Sequence, residues 1–196
     1  DKFLIKSYLN KVKNFYNKLI IYPFGLSNKN HSSILYKAFY KDILFHFNNS
    51  FSKDYIKNKL FENYGVKSKK FKLKKTNLNL KKFDDLKIKD DICFFKIDVE
   101  GLDHLVIYGM KDYINKYFPV ILVEYNHSNF EKIYEFLKKN YDCFFYDFLK
   151  NKLHKLNVSE IDKLKSGKII ENIFKKNSVN IFFKKKKLTI NTILKL

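Results

Sequence analysis

Asp98 and Glu100 close the segment Phe94-Phe95-Lys96-Ile97-Asp98-Val99-Glu100-Gly101, where a short apolar run stops at two carboxylates and a glycine. Standing two residues apart, the acids project to one side of an extended backbone. Such a pair can take a proton from a hydroxyl, because mutual repulsion and burial raise a carboxyl pKa toward neutrality. It can also offer oxygen ligands to a divalent cation. Plain structural work suits the same residues, with Asp98 as an N-cap and Glu100 as a first-turn acid facing the helix dipole. Glu124, at the end of Pro119-Val120-Ile121-Leu122-Val123-Glu124, and His127 just beyond it join this cluster if the two strands are neighbours. For His127 alone, an exposed structural position is the favoured reading. His31, His46, His104 and His154 lack a partner pattern. Other chemistries find less support: no G-x-S-x-G elbow presents a serine nucleophile, and the two cysteines are too far apart, and too far from histidines, for zinc. A divalent metal is possible for the carboxylates but nothing further supports it.

Such residues need a sheet to hold them. In open parallel sheets, ligands bind beyond the carboxyl ends of the strands, and Gly101 lets the chain turn tightly out of the strand. The next residues carry an apolar stripe at Leu102, Leu105, Val106, Gly109, Met110, Tyr113 and Ile114, which predicts one continuous amphipathic helix. Val120 to Val123 reads as a central parallel strand buried on both faces. Phe130, Ile133, Tyr134 and Leu137 predict a further helix, residues 143–146 a strand, 157–165 a capped helical turn, and 179–183 an antiparallel strand at or next to the sheet edge. Upstream, a helix is expected over about 2–17, from Phe3, Leu4, Tyr8, Val12, Phe15 and Tyr16, and a buried strand over 19–22. Residues 33–36 could form a strand, 54–64 carry a helical pattern, and the alternation of Phe71 to Leu80 suits an edge strand. Strands alternating with helices imply a three-layer α/β/α sheet in a single domain.

The string KIDVEG, the helix Leu102-Asp103-His104-Leu105-Val106-Ile107-Tyr108-Gly109-Met110 and the strand Pro119 to Glu124 together resemble the FkbM family of S-adenosylmethionine-dependent methyltransferases. That family shows K-I-D-V-E-G, a helix reading E-x-x-V-L-x-G-A, and P-x-I-L-x-E in this order. Leu19 to Asn28 is similar to its third strand and the A-L-S-D/N turn after it, with Gly25 in place of alanine. His104 and Leu105 depart from the family's Glu-Leu pair, and its Leu-Asp pair appears only as Leu78-Asn79 or Thr76-Asn77. The resemblance implies a Rossmann-like methyltransferase sheet, mostly parallel, in which Gly25, Leu26, Ser27 and Asp98 lie beside S-adenosylmethionine. Asp98 and Glu100 would then be the catalytic acids, and Glu124 and His127 would face a glycan or small-molecule acceptor. The variable insert between residues 28 and 75 would cover the mouth of the site, where substrate choice resides. The family's D-x-G-A-N-x-G loop and ribose-binding acid are missing, and no two of the five glycines lie close enough to replace them. The expectation is a domain, residues 1–196, that lacks its N-terminal cofactor-binding strands and is probed best by reading the frame upstream of Asp1. A fragment that keeps the fold but binds nothing is an alternative.

A net charge of +20 raises a second alternative, a lysine-rich nucleic-acid-binding protein. Against it, every one of the 40 basic residues is lysine, whereas specific base and phosphate recognition leans on the bidentate fork of arginine. Abundant Asn, Ile, Phe and Tyr alongside lysine match a nucleotide bias toward A and T, so Lys67 to Lys75 and Lys184 to Lys187 read as solvated faces and no specific nucleic-acid partner is expected. Cys93 and Cys143 read as small buried hydrophobes in a reducing, cytoplasmic setting. No apolar run approaches the length of a membrane span.

Overall fold

The computed structural model describes residues 20–40, 43–64, 71–99, 101–147, 152–168 and 180–186. The helix expected at 2–17, Leu19 and Glu100 lie outside them. Two mixed sheets form the architecture, in place of the single three-layer, mostly parallel sheet expected from the alternating pattern.

The first sheet holds β1 (Gly25–Ser27), β2 (His31–Tyr40), β3 (Ile43–Ser50) and β4 (Lys72–Lys82) in the order β1-β4-β2-β3. Only β1 and β4 run parallel; β4 with β2 and β2 with β3 are antiparallel. Of the buried strand expected at 19–22, the described residues Ile20, Ile21 and Tyr22 form none: they are half exposed, and β1 begins at Gly25. β4 is an interior strand, not an edge. Its alternation of lysine with apolar residues records one solvated face, which antiparallel sheets tolerate. Helix α1 (Lys53–Tyr64) packs on this sheet over a small core of Ala38, Ile56 and Leu60.

The second sheet holds β5 (Phe94–Ile97), β6 (Val120–Glu124), β7 (Tyr141–Asp147), β8 (Lys152–Lys155) and β9 (Asn180–Lys185) in the order β5-β6-β9-β7-β8. β5 and β6 are parallel and the other pairings antiparallel. β9, expected near an edge, occupies the centre. Its Ile181 and Phe183 are fully covered within the main core. Helices α2 (Asp103–Gly109), α3 (Lys111–Tyr117), α4 (His127–Leu137) and α5 (Val158–Lys165) complete the main core. The apolar stripe of residues 102–114 is buried much as its spacing predicts, with Met110 fully inside, but it bends. Met110 takes φ −119° and ψ 25°, which ends α2 and starts α3. The new N-terminus is capped from elsewhere: Asp84, in the short 3-10 turn Phe83–Leu86, accepts the N–H groups of Asp112 and Tyr113, both at 3.1 Å.

Aromatic packing fixes how the chain enters β5. Phe83, Phe95 and Tyr113 meet edge to face, with centroids 5.1 to 5.7 Å apart. The Tyr113 hydroxyl donates to Asp90 O at 2.6 Å and accepts from Ile92 N at 2.7 Å, pinning the loop that feeds the strand. α5 starts with a reciprocal capping box between Asn157 and Glu160, so Asn157 is its cap. Cys143 is buried, where burial pushes its thiol well above the usual range; Cys93 is exposed, contrary to expectation, because it precedes edge strand β5. Both thiols are free. Among the described residues, no helix is long and apolar enough to cross a membrane.

Candidate active site

β5 and β6 are hydrogen-bonded neighbours, with Ile97 opposite Val123. The next residues, Asp98 and Glu124, therefore stand side by side at the carboxyl ends of the two parallel strands. Ile97 and Val123 turn into the core, so alternation directs the following residues away from it. Asp98 is half exposed and accepts a 2.5 Å ion pair on Oδ2 from Lys96, which shares its side of the strand. Its Oδ1 has no partner among the described residues. Asp98 is not the N-cap of α2; that place belongs to Leu102, which makes no side-chain cap. Glu124 is half-buried, opposite Asn180 of β9.

Between Asp98 and α2 the chain turns through Gly101 at φ +91°, a left-handed conformation that favours glycine. Asn129, on α4, donates its side-chain amide to Gly101 O. Asn126 caps the same helix, accepting from Ser128 N at 3.0 Å, and its amide lies over the Gly101 Cα. The loops after β5 and β6 are thus tied to each other through α4. His127 opens α4 with its ring against Gly167, where a Cβ would come within 3.0 Å, so the ring links the start of α4 to the end of α5. Tyr125 adds a second link there, donating to Leu164 O at 2.8 Å.

Asp103 is the carboxyl at this end of the sheet whose pKa is raised. Burial is the main cause, with the nearby Asp98 charge adding to it, against the opposing backbone N–H groups of Asp103, Val99 and Gly101. One oxygen, Oδ1, is buried without a hydrogen-bond partner. Neither Asp103 nor Asn129 stood out in the sequence. An acid in the first helical turn looks like an ordinary dipole partner. Asn129 carried a usable signal: it lies on the stripe continued by Ile133 and Leu137, and a polar residue on a buried stripe needs a partner.

Gly25, Leu26 and Ser27 stand elsewhere. They form β1, and Ser27 O lies against Gly109 at the C-terminal end of α2, whereas Asp98 to Gly101 lead into its N-terminal end. The seven residues of α2 put about 10 Å between the two ends. The Cβ position at Gly25 lies 2.6 Å from Leu80 Cδ2, so β1 packs closely on β4 there. Among the described residues, no group of three or more His, Cys, Asp or Glu side chains could hold a metal ion. His154 pairs with Glu160 at 3.2 Å, and His31 bonds Lys29 O; both are structural contacts.

Residues 5–144 match the family model of the methyltransferase FkbM domain. The chain belongs to the FkbM methyltransferase family. The match runs through the β5 and β6 ends and stops inside β7, so β8, α5 and β9 lie beyond it. Among solved structures, an FkbM methyltransferase from Methylobacillus flagellatus aligns at 12% identity with a TM-score of 0.47, covering 91% of this chain and 32% of that one. The chain thus spans about a third of that protein's length. Comparison with curated proteins gives no match. Methyltransferases of this family use S-adenosylmethionine, and among the described residues at the β5 and β6 ends Asp98 is a half-exposed carboxylate.

Proposed function

We propose that the protein is an S-adenosylmethionine-dependent O-methyltransferase acting on a hydroxyl of a glycan or small-molecule acceptor. The observation that carries this reading is the position of Asp98: a half-exposed carboxylate at the carboxyl end of β5, beside Glu124 of the parallel neighbour β6, within the segment that matches the FkbM model. S-adenosylmethionine, when bound, supplies a methyl group on a sulfonium centre. The Asp98 carboxylate would take the proton of the acceptor hydroxyl whose oxygen receives that methyl group. Lys96 holds Oδ2 and so sets the direction of Oδ1. Glu124 and His127 flank the acceptor side, and Asn129 keeps the Gly101 turn closed behind Asp98. Glu100, by its place in the motif, acts beside Asp98.

Methyl transfer by the full-length protein, with Asp98→Asn as the variant, tests the reading. The substitution keeps shape and removes the base, so turnover should fall by about two orders of magnitude or more, on the scale of general-base catalysis. The thermal midpoint should stay in place, because the Asp98 side chain is largely in solvent. Unimpaired turnover in Asp98→Asn would remove the base from the proposal, and methylation only at nitrogen, carbon or carboxyl oxygen would remove the hydroxyl acceptor.

A further inference from the structure

The face of the first sheet that carries α1 holds a pocket of about 280 Å³. Three elements build it by their own periodicities. On β4, residues two apart share a face, which aligns Phe71, Leu73 and Lys75. On β2, Tyr36 pairs directly with Lys75 across the ladder. On α1, spacings of four and three place Lys53, Lys57 and Leu60 on one side. The floor is apolar, since Leu60 is 1% exposed and Leu73 is half-buried. Among the described residues, the rim carries three ammonium groups and no carboxylate. Asp54 lies 3.9 Å from Lys57, but its side chain is 87% exposed, so it neutralises little.

We propose that this pocket binds a small phosphorylated ring compound, of the size of a sugar phosphate. Three lysines match a phosphate dianion better than a single carboxylate, and lysine serves phosphate as a compact point charge. Tyr36 and Phe71 supply aromatic surface for the ring, as ligand pockets commonly do. The volume sits at the low end of small-molecule sites, roughly 300–1,000 Å³, so it suits one ring and one phosphate rather than a dinucleotide. The pocket lies toward the other end of β4 from β1. Lys75 and Lys82 are seven residues apart on β4, or roughly 23 Å, and Lys82 is the residue that pairs with Ser27.

Methyl-detected NMR titration of the full chain with glucose 6-phosphate as the probe, and glucose and inorganic phosphate as controls, tests this. Glucose 6-phosphate should shift the Leu60 and Leu73 methyl signals with a sub-millimolar Kd. Inorganic phosphate should bind at least 10-fold more weakly, and glucose should produce no shift. Lys53→Gln and Lys75→Gln, both at exposed side chains that folding does not need, should each weaken the probe several-fold, and the double variant at least 10-fold. Tyr36→Ala should weaken glucose 6-phosphate and leave inorganic phosphate unchanged. Shifts confined to other methyl groups, equal binding of glucose and its phosphate, or an unaltered Kd in the double variant would overturn the assignment. Because binding is read without turnover, these outcomes are separate from those of the Asp98 test.

Discussion

Gly109→Ala should cost the protein about 2 kcal/mol, although alanine is the better helix former. The Cβ would lie 2.0 Å from Ser27 O, 2.9 Å from Ser27 C and 3.2 Å from Asn28 Cα. Carbon and carbonyl oxygen ordinarily meet at roughly 3.3 Å, so the overlap exceeds about 1 Å and falls on backbone that cannot rotate aside. Either α2 lifts from β1 or the turn after β1 moves, and overpacking of this kind costs about 1–3 kcal/mol. The glycine has no left-handed φ, so alanine recovers nearly 1 kcal/mol of helix propensity. That gain offsets only part of a penalty at or above the top of the overpacking range. For a chain of this size each kcal/mol moves the thermal midpoint by about 2–4 °C, so circular-dichroism melts should show a drop of roughly 4–8 °C. Gly25→Ala is the control. Its Cβ would meet the Leu80 Cδ2 methyl at 2.6 Å, the end of a side chain that can change rotamer, so the loss should be about half as large or less. A Gly109→Ala midpoint within about 1 °C of wild type would refute the backbone-contact argument.

Burial holds the Asp103 carboxyl above its usual pKa, so the folded state binds its proton more tightly than the unfolded state does. Stability must then fall as pH rises from about 4 through the raised value, and the uncharged Asp103→Asn should remove that part of the slope. Denaturant titrations of both forms between about pH 4 and 7 check this, and a wild-type-minus-variant difference that stays constant, or grows in favour of wild type as pH rises, would count against it. A thiol reagent should modify Cys93 in the native protein, while Cys143, buried and held well above its usual pKa, should react only on unfolding; two equivalents titrated at once under native conditions would contradict the placement. Duplex and single-stranded oligonucleotides should bind weakly, without sequence preference, and dissociate steeply with salt. Tight, selective binding persisting near 0.15 M, about physiological ionic strength, would instead favour a nucleic-acid role for the lysine faces.

Local signals carried far in this chain where one pairing decided an element. The strands β5 and β6, the Asp98 and Glu124 that end them and the stripe of α4 appear where local pattern places them, but β6 alternates buried Ile121 and Val123 with half-buried neighbours instead of being buried on both faces as its continuous apolar run predicts. Placement within a sheet was not local. β4 alternates as an edge strand would, yet sits between β1 and β2, since alternation reports a wet face and says nothing about neighbours. The run Ile20-Ile21-Tyr22 has strand composition but is half exposed, which shows composition yielding to tertiary context. The site divided in the same way. Asp98 and Glu124 were legible as strand-end acids and Asn129 as a polar residue on a buried stripe, whereas Asp103 gains its importance from burial at a turn that no spacing rule encodes.

The central place of β9 sets the order in which this protein can be assembled. Without residues 180–185, the second sheet is two ribbons, β5 with β6 and β7 with β8, each of the kind that is marginal in water. The ladder that joins them pairs Val123 with Ile181, a closure across a long stretch of chain that slows folding and is made after both ribbons in N-to-C synthesis. Until then, Val120 to Val123 and the Phe144-Phe145 segment of β7 each present an unpaired, apolar edge, the form of strand that recruits other chains. Newly made protein therefore passes through an aggregation-sensitive interval that ends only when its closing strand arrives, and chaperone demand and expression temperature should bear on its yield more than its final stability does.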